Sequence, residues 1–151
     1  TNKAVVKDFL IIVDQIKQEK DFTKKFTIYE EGVALEIILG KTTKEQVIQI
    51  MKKYSSEIIK LEQSSQIMIY EDISLTILFD ENSLVTEMRF GRLYKGLTNK
   101  GIKVGDYLKK GFEIYGKPDI FTLKGAIWEK IALFSSDGKF VTSIRIREKK
   151  D

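Results

Sequence analysis

The sequence contains no cysteine and no histidine, and these two absences remove whole classes of chemistry. Without cysteine the chain forms no disulfide and offers no thiolate nucleophile. Without histidine it lacks the commonest general base and the commonest metal ligand. We therefore expect a protein that uses no cofactor and no metal and that is not an enzyme. A deep pocket with converging carboxylates or a lysine would revive the enzyme alternative, which ranks third.

Proline and long apolar runs are also scarce. The chain has one proline, and its longest purely apolar run is Phe9–Val13, which is too short to cross a membrane. With 42% hydrophobic and 32% charged residues, the composition is that of a folded globular protein. A length of 151 residues suits one domain, or two small units that share a core.

The net charge of +4 is distributed unevenly along the chain. Residues 1–75 contain 11 basic and 12 acidic side chains, whereas residues 76–151 contain 15 and 10. A solvated, lysine-rich surface explains this difference, and an electrostatic footprint for an anionic partner in segment 89–124 is the alternative. That partner would be a nucleic acid, a lipid headgroup or an acidic polymer, bound by Arg92, Lys95, Lys100, Lys103, Lys109 and Lys110.

Hydrophobic periodicity predicts three helices. The first covers Asn2–Lys20, where apolar residues form a broad stripe. The second begins at Thr42, whose spacing to Glu45 is that of a capping box. The third begins at Asp106 and ends at Gly116, since glycine commonly terminates a helix.

Five further segments are predicted to be strands, and in one of them Ile73, Leu75, Ile77 and Phe79 alternate with mostly polar residues, which is typical of a half-buried antiparallel sheet. A further hairpin turn is predicted at Glu31-Gly32, ahead of the second helix. Three of the five segments follow the second helix and two follow the third: 66–71, 73–79, 84–90, 125–134 and 139–148.

Two of these strands have nearly the same sequence. VTEMRF at Val85–Phe90 and VTSIRI at Val141–Ile146 lie 56 positions apart, and the second and third helices align with a shift of 61. The chain therefore resembles a tandem repeat. We predict an α+β fold in which a helix in residues 1–25 precedes two αβββ-type repeats, 26–91 and 92–151, that form one antiparallel sheet in one compact domain.

Two helices packed on one face of such a sheet leave the other face open. Period-two alternation places Met88 and Ile144 towards the helices, and Arg89 and Arg145 on the open face. Trp128 lies beside Arg145 if the more aliphatic side of its strand is the core, and lies in the core otherwise. We predict a surface that binds another protein, formed by Tyr70, Glu87, Arg89, Trp128, Lys130 and Arg145.

The sequence LGKTTKEQVIQIMKKY, followed by strands that end in LFDENSLVTEMRF, resembles the small envelope lipoproteins of the BamE (SmpA/OmlA) type. The second half resembles the same pattern through GIKVGDYLKKGFEIYGKPD, IWEKIALF and DGKFVTSIRI. The tandem arrangement is similar to the β-lactamase inhibitory proteins. This resemblance implies a non-catalytic lipoprotein ectodomain, membrane-anchored or periplasmic, that binds other proteins through its sheet.

Two local features leave alternatives open or exclude a site. The chain begins Thr1-Asn2-Lys3, which fits either a cleaved leader or a trimmed cytoplasmic protein. Gly40–Thr42, with the sequence GKT, lies between a strand and a helix, as a phosphate-binding loop does. That loop needs a further glycine at position 35, where the chain has Leu35, so we expect no nucleotide.

Overall fold

The computed structural model describes residues 2–18, 25–55, 60–61 and 66–148. The end of the first predicted helix, at residues 19–20, lies outside these described residues. The fold is α+β, as predicted. None of the helices in the described part is long and apolar enough to span a bilayer. The helices are α1 (Asn2–Gln18), α2 (Lys44–Met51) and α3 (Leu108–Tyr115).

The strands form two antiparallel sheets within the described residues. The small sheet is a hairpin of β1 (Val33–Ala34) and β2 (Ile37–Ile38). The large sheet has eight strands in the order β3-β4-β5-β6-β10-β9-β8-β7. Its strands are β3 (Lys60–Leu61), β4 (Ile67–Tyr70), β5 (Leu75–Phe79), β6 (Val85–Phe90), β7 (Ile120–Thr122), β8 (Gly125–Ile127), β9 (Ile131–Phe134) and β10 (Ser143–Arg147).

The N-terminal helix packs on the small sheet, apart from the main core. Val13 and Ile16 of α1 are buried with Val33 of β1, because the apolar stripe of the helix needs a surface to cover it. The turn between β1 and β2 is formed by Leu35 and Glu36, whose φ angles are 52° and 70°. Neither is glycine or asparagine, which is why the sequence did not predict this turn.

The main core lies between one face of the large sheet and the two later helices. Val47 and Met51 of α2 and Leu108 of α3 are buried against it. Helices therefore pack on one face of the sheet, as predicted. The sheet contributes Met68, Tyr70, Leu75, Ile77, Phe79, Val85, Met88, Phe90, Leu133, Ile144 and Ile146 to this core.

A glycine in α3 sets how closely that helix approaches the sheet. A Cβ atom on Gly111 would collide with Cδ1 of Leu133 and would lie 3.6 Å from the ring of Trp128. The missing side chain therefore allows close packing between α3 and the strand below it.

The centre of the large sheet is the antiparallel pair β6–β10. Arg89 lies opposite Arg145, Met88 opposite Ile146, and Phe90 opposite Ile144. Exchanging each residue for its counterpart 56 positions away maps the pair Met88–Ile146 onto Ile144–Phe90 and leaves Arg89–Arg145 unchanged, so the repeat relation is consistent with this ladder. The strand order is also matched: β5, β4 and β3 follow β6 on one side, and β9, β8 and β7 follow β10 on the other. This symmetry supports the repeat hypothesis, which stays a prediction.

Matched hydrogen bonds at the helix starts support the same hypothesis. The N–H of Lys44 donates to Ser83 O, and the N–H of Leu108 donates to Lys139 O. The two acceptors, Ser83 and Lys139, are 56 positions apart, whereas the two donors, Lys44 and Leu108, are 64 positions apart. The predicted helix shift of 61 is therefore wrong, because side-chain similarity aligned the helices three residues too early.

The predicted capping box of α2 is displaced by one residue. Thr43 is the N-cap: its hydroxyl accepts from the N–H of Gln46 at 3.2 Å, and its own N–H donates to Gln46 Oε1 at 2.9 Å. Thr42, which the sequence paired with Glu45, instead accepts from the N–H of Ile38 at 2.8 Å. Each of the two adjacent threonines has a possible capping partner three residues later. Thr42 is engaged in the turn after β2, so Thr43 caps the helix.

The start of α3 differs from its prediction in a similar way. Tyr107 is the N-cap and provides no side-chain cap. Asp106 accepts from the N–H of Lys103 at 3.0 Å and pairs with Lys110 at 3.1 Å, so it stabilises the turn before the helix. Gly116 ends the helix with φ 78°, as predicted.

The predicted strand 125–134 is two strands. The chain turns at residues 128–130, so that β8 and β9 form a hairpin, and β7 pairs with β8 as an additional edge strand. The sequence missed this turn because it contains no glycine, proline or asparagine.

Candidate protein-binding surface

The sheet face that points away from α2 and α3 is hereafter the open face. Its side chains alternate with those of the core, as the pleat requires. They are partly exposed, with the exception of Ala132, which is 3% exposed. The open face includes Ile67, Ile69, Thr76, Leu78, Glu87, Arg89, Ala132, Phe134, Ser143 and Arg145, and the exposed Arg147 lies on the same face opposite Glu87.

Two arginines occupy the middle of the open face. Arg89 of β6 and Arg145 of β10 are direct partners across the two central strands. Nε of Arg89 donates to Oε2 of Glu87, which lies two residues earlier on the same side of β6. The Glu87 side chain is 18% exposed, so this ion pair is only partly hydrated.

Arg145 has a different environment. Its guanidinium carbon lies 4.0 Å from the centroid of the Phe134 ring, which is a cation–π arrangement. Its Nε is buried and has no hydrogen-bond acceptor among the described residues. Burial lowers the pKa of Arg145, the charge of Arg89 lowers it further, and the charge of Glu87 opposes both effects.

A depression adjoins the arginine pair on the open face. It has a volume of about 380 Å³, and Arg89, Thr76, Ser143 and Gly91 are among its lining residues. Gly91 follows β6 and has no side chain, and Ser143 is small, so the space beside the Arg89 side chain is not filled.

Three of the six predicted site residues lie together on the open face. Glu87, Arg89 and Arg145 occupy adjacent positions of the central strands, as the alternation predicted. Lys130 lies in the turn between β8 and β9, where it lines a groove together with Glu87.

The placement of Tyr70 and Trp128 on the open face is wrong. Tyr70 is 0% exposed, and its hydroxyl donates to Sδ of Met68 at 2.9 Å in the core. Trp128 is 8% exposed, and its Nε1 donates to Gly116 O at 3.1 Å. The turn at 128–130 breaks the alternation, so Trp128 shares the core side of β8 although Ala132 lies on the open face.

The groove at the end of the sheet has a volume of about 1120 Å³. It is lined by charges of both signs, including Glu87, Glu148, Lys130 and Arg147. Within the part of the chain that the structure describes, no three side chains of ligand type come together closely enough to hold a metal ion.

The basic segment 89–124 does not form a uniform cationic surface. Lys100 pairs with Glu30 at 3.1 Å and lies over the Tyr115 ring at 5.1 Å. Lys110 pairs with Asp106. Two of the six lysines and arginines of the alternative site are therefore partly neutralised within the protein, which favours the open face over this segment.

Sequence reasoning missed the apolar and small members of the site. Ile69, Thr76 and Ser143 were available from the same alternation that identified Arg89. Phe134 was available as well, because the predicted strand 125–134 put it on the same side as Trp128, which was assigned to the open face.

Comparisons with known proteins address the fold. No family model matches the chain, and no curated protein matches it. Among solved structures, the chain is similar to that of a DUF4309 family protein, YjgB, from Bacillus subtilis. That likeness has a TM-score of 0.53 and 12% sequence identity, and it covers 91% of this chain and 97% of the other. At this identity it supports the α+β fold alone.

Proposed function

We propose that the chain is a non-enzymatic protein of the cell envelope, a lipoprotein ectodomain that binds another protein through the open face. The observation that carries the proposal is the pair Arg89 and Arg145, held in the middle of a partly exposed sheet face beside apolar side chains.

The chemistry of the open face supports a protein partner. Arginine and aromatic residues are enriched in protein interfaces, and Arg145 stacked on Phe134 provides both. Ile69 and Leu78 add apolar area that a partner would remove from water. The open face of an eight-stranded antiparallel sheet also presents many side chains at once, which suits a protein more than a small molecule.

The envelope location and the lipoprotein character are supported by the sequence resemblance to BamE-type proteins. The matched halves of the large sheet agree with the tandem organisation that this resemblance includes.

Site-specific photo-crosslinking in the cells that make the protein tests the proposal. A photoreactive phenylalanine analogue replaces Ile69 on the open face, or Glu113 on the exposed side of α3. We expect a discrete protein adduct from position 69 and none from position 113, because the two positions lie on opposite sides of the sheet.

Matched double variants then test which side chains are needed. Replacing Leu78 and Arg89 with serine should remove the adduct, whereas replacing the exposed Lys109 and Lys117 with serine should not. Circular dichroism confirms that both variants are folded. An adduct that forms equally at both positions, or that survives the open-face variant, would contradict the proposal.

A further inference from the structure

The two central arginines differ in one respect: Arg89 has an internal carboxylate and Arg145 does not. Glu87 lies two residues before Arg89 on the same side of β6 and pairs with it. The equivalent position before Arg145, on the same side of β10, is Ser143. The carboxylate that satisfies the first guanidinium therefore has no counterpart beside the second.

The structure leaves both a donor and a space where that carboxylate is missing. Nε of Arg145 is buried without an acceptor among the described residues. Stacking on Phe134 uses the flat side of the guanidinium, whereas its N–H bonds lie in the guanidinium plane, so the ring does not satisfy them. Ser143 also lines the depression of about 380 Å³ that adjoins Arg89.

We propose that this depression is a carboxylate site, in which an aspartate or glutamate side chain of the partner protein binds between Arg89 and Arg145. The inference rests on the proposed function and names the group that the open face recognises. Binding requires the Arg145 side chain to turn its Nε edge towards the depression. An unpaired, desolvated donor favours that turn, because a charged N–H gains most from an acceptor.

The charges favour a carboxylate over a dianionic phosphate. Arg89, Arg145 and Glu87 together have one excess positive charge, which one carboxylate neutralises. Arg147, opposite Glu87, and Glu71, which lines the depression, are both exposed, so water already solvates these two opposite charges. A dianion placed beside Glu87 would leave an excess of negative charge in a partly buried site.

The experiment is an NMR titration of arginine Nε–Hε signals, of which the chain has four, from Arg89, Arg92, Arg145 and Arg147. The probe is the blocked peptide Gly-Glu-Gly, with blocked Gly-Gln-Gly as its uncharged match, at constant ionic strength. We expect saturable shifts of the Arg89 and Arg145 signals with the glutamate peptide only. Arg92, which is exposed and lies outside the depression, is the internal control.

Two variants make the test specific. Ser143→Glu places a carboxylate beside Arg145 and should weaken peptide binding about tenfold or more, whereas Asn82→Glu adds the same charge at the other end of β6 and should not. Arg145→Lys keeps the charge, loses the planar fork, and should also weaken binding about tenfold. The spectra themselves report whether each variant is folded.

The inference is overturned if all four signals shift linearly, if Ser143→Glu binds the peptide as the parent does, or if inorganic phosphate saturates the site at lower concentration than the peptide. These outcomes are separable from the proposed function, because the titration needs no partner. A failed titration beside a position-specific crosslink at Ile69 would remove the carboxylate site and retain the protein-binding face.

Discussion

Replacing Trp128 tests the side of the sheet on which this residue lies. The structure buries its ring against Phe112 and Tyr115, with centroid distances of 5.8 and 5.4 Å, and joins its Nε1 to Gly116 O at the end of α3. If this placement is right, the tryptophan stabilises the fold by fastening α3 to the sheet. If it lies on the open face instead, its loss affects partner binding alone.

The expected losses follow from these contacts. Trp128→Phe removes one hydrogen bond, worth about 1 kcal/mol, and reduces the ring volume at a further cost of about 1 kcal/mol. Trp128→Ala creates a large cavity and should cost about 3–5 kcal/mol of unfolding free energy. Leu123→Ala is the matched control, since Leu123 is 93% exposed and its truncation should change stability by less than about 0.5 kcal/mol.

Urea unfolding followed by far-ultraviolet circular dichroism measures all three variants, because the tryptophan variants lose their fluorescence probe. We expect Trp128→Ala to be the least stable, Trp128→Phe to be intermediate, and Leu123→Ala to match the parent. A Trp128→Ala protein within about 0.5 kcal/mol of the parent would refute the core placement, since truncations of exposed residues behave in that way.

Three further predictions concern the core. Tyr54→Phe removes the hydroxyl that donates to Glu36 at 2.9 Å, and the Glu36 side chain is only 4% exposed. Chemical denaturation should therefore show a loss of about 1.5–3 kcal/mol of unfolding free energy, and an unchanged midpoint would contradict this. Gly96→Ala places a Cβ against the carbonyl of Phe26, so thermal unfolding should show a loss of at least about 1 kcal/mol, and a stabilised variant would refute that contact. Burial raises the pKa of Tyr94 above its ordinary value of 10.0, so its neutral form stabilises the fold below about pH 10 and this contribution is lost as the pH rises. The signal of Tyr94 is the phenolate absorbance that Tyr94→Phe removes, and its appearance well before unfolding would contradict this assignment.

Most of the sheet was predictable because its strands obey a simple period. Leu75, Ile77 and Phe79 take every second position of β5, and all three are buried. Val85 is an exception, since it lies an even number of residues from Arg89 and the same alternation therefore predicts it on the open face. The ladder shifts register between Leu78 and Phe79, which pairs Phe79 with Val85 and brings Val85 into the core. Period alone does not reveal such an irregularity.

The candidate site was predictable where its strands are uninterrupted. Glu87, Arg89 and Arg145 belong to β6 and β10, and their faces followed from alternation. Trp128 was assigned to the wrong side because the turn between β8 and β9 has no turn-forming residue to identify it. The unpaired Nε of Arg145 was also beyond the sequence, because it depends on which side chains meet across strands.

The absence of cysteine makes one measurement especially direct. Single cysteines introduced at Thr76 and Ser143 on the open face, and at Glu113 on α3, each provide one thiol for labelling by a maleimide. In the complex with the crosslinked partner, labelling should slow at positions 76 and 143 and remain unchanged at 113. Protection at 113 with unchanged labelling at 76 and 143 would contradict the claim that the open face binds the partner.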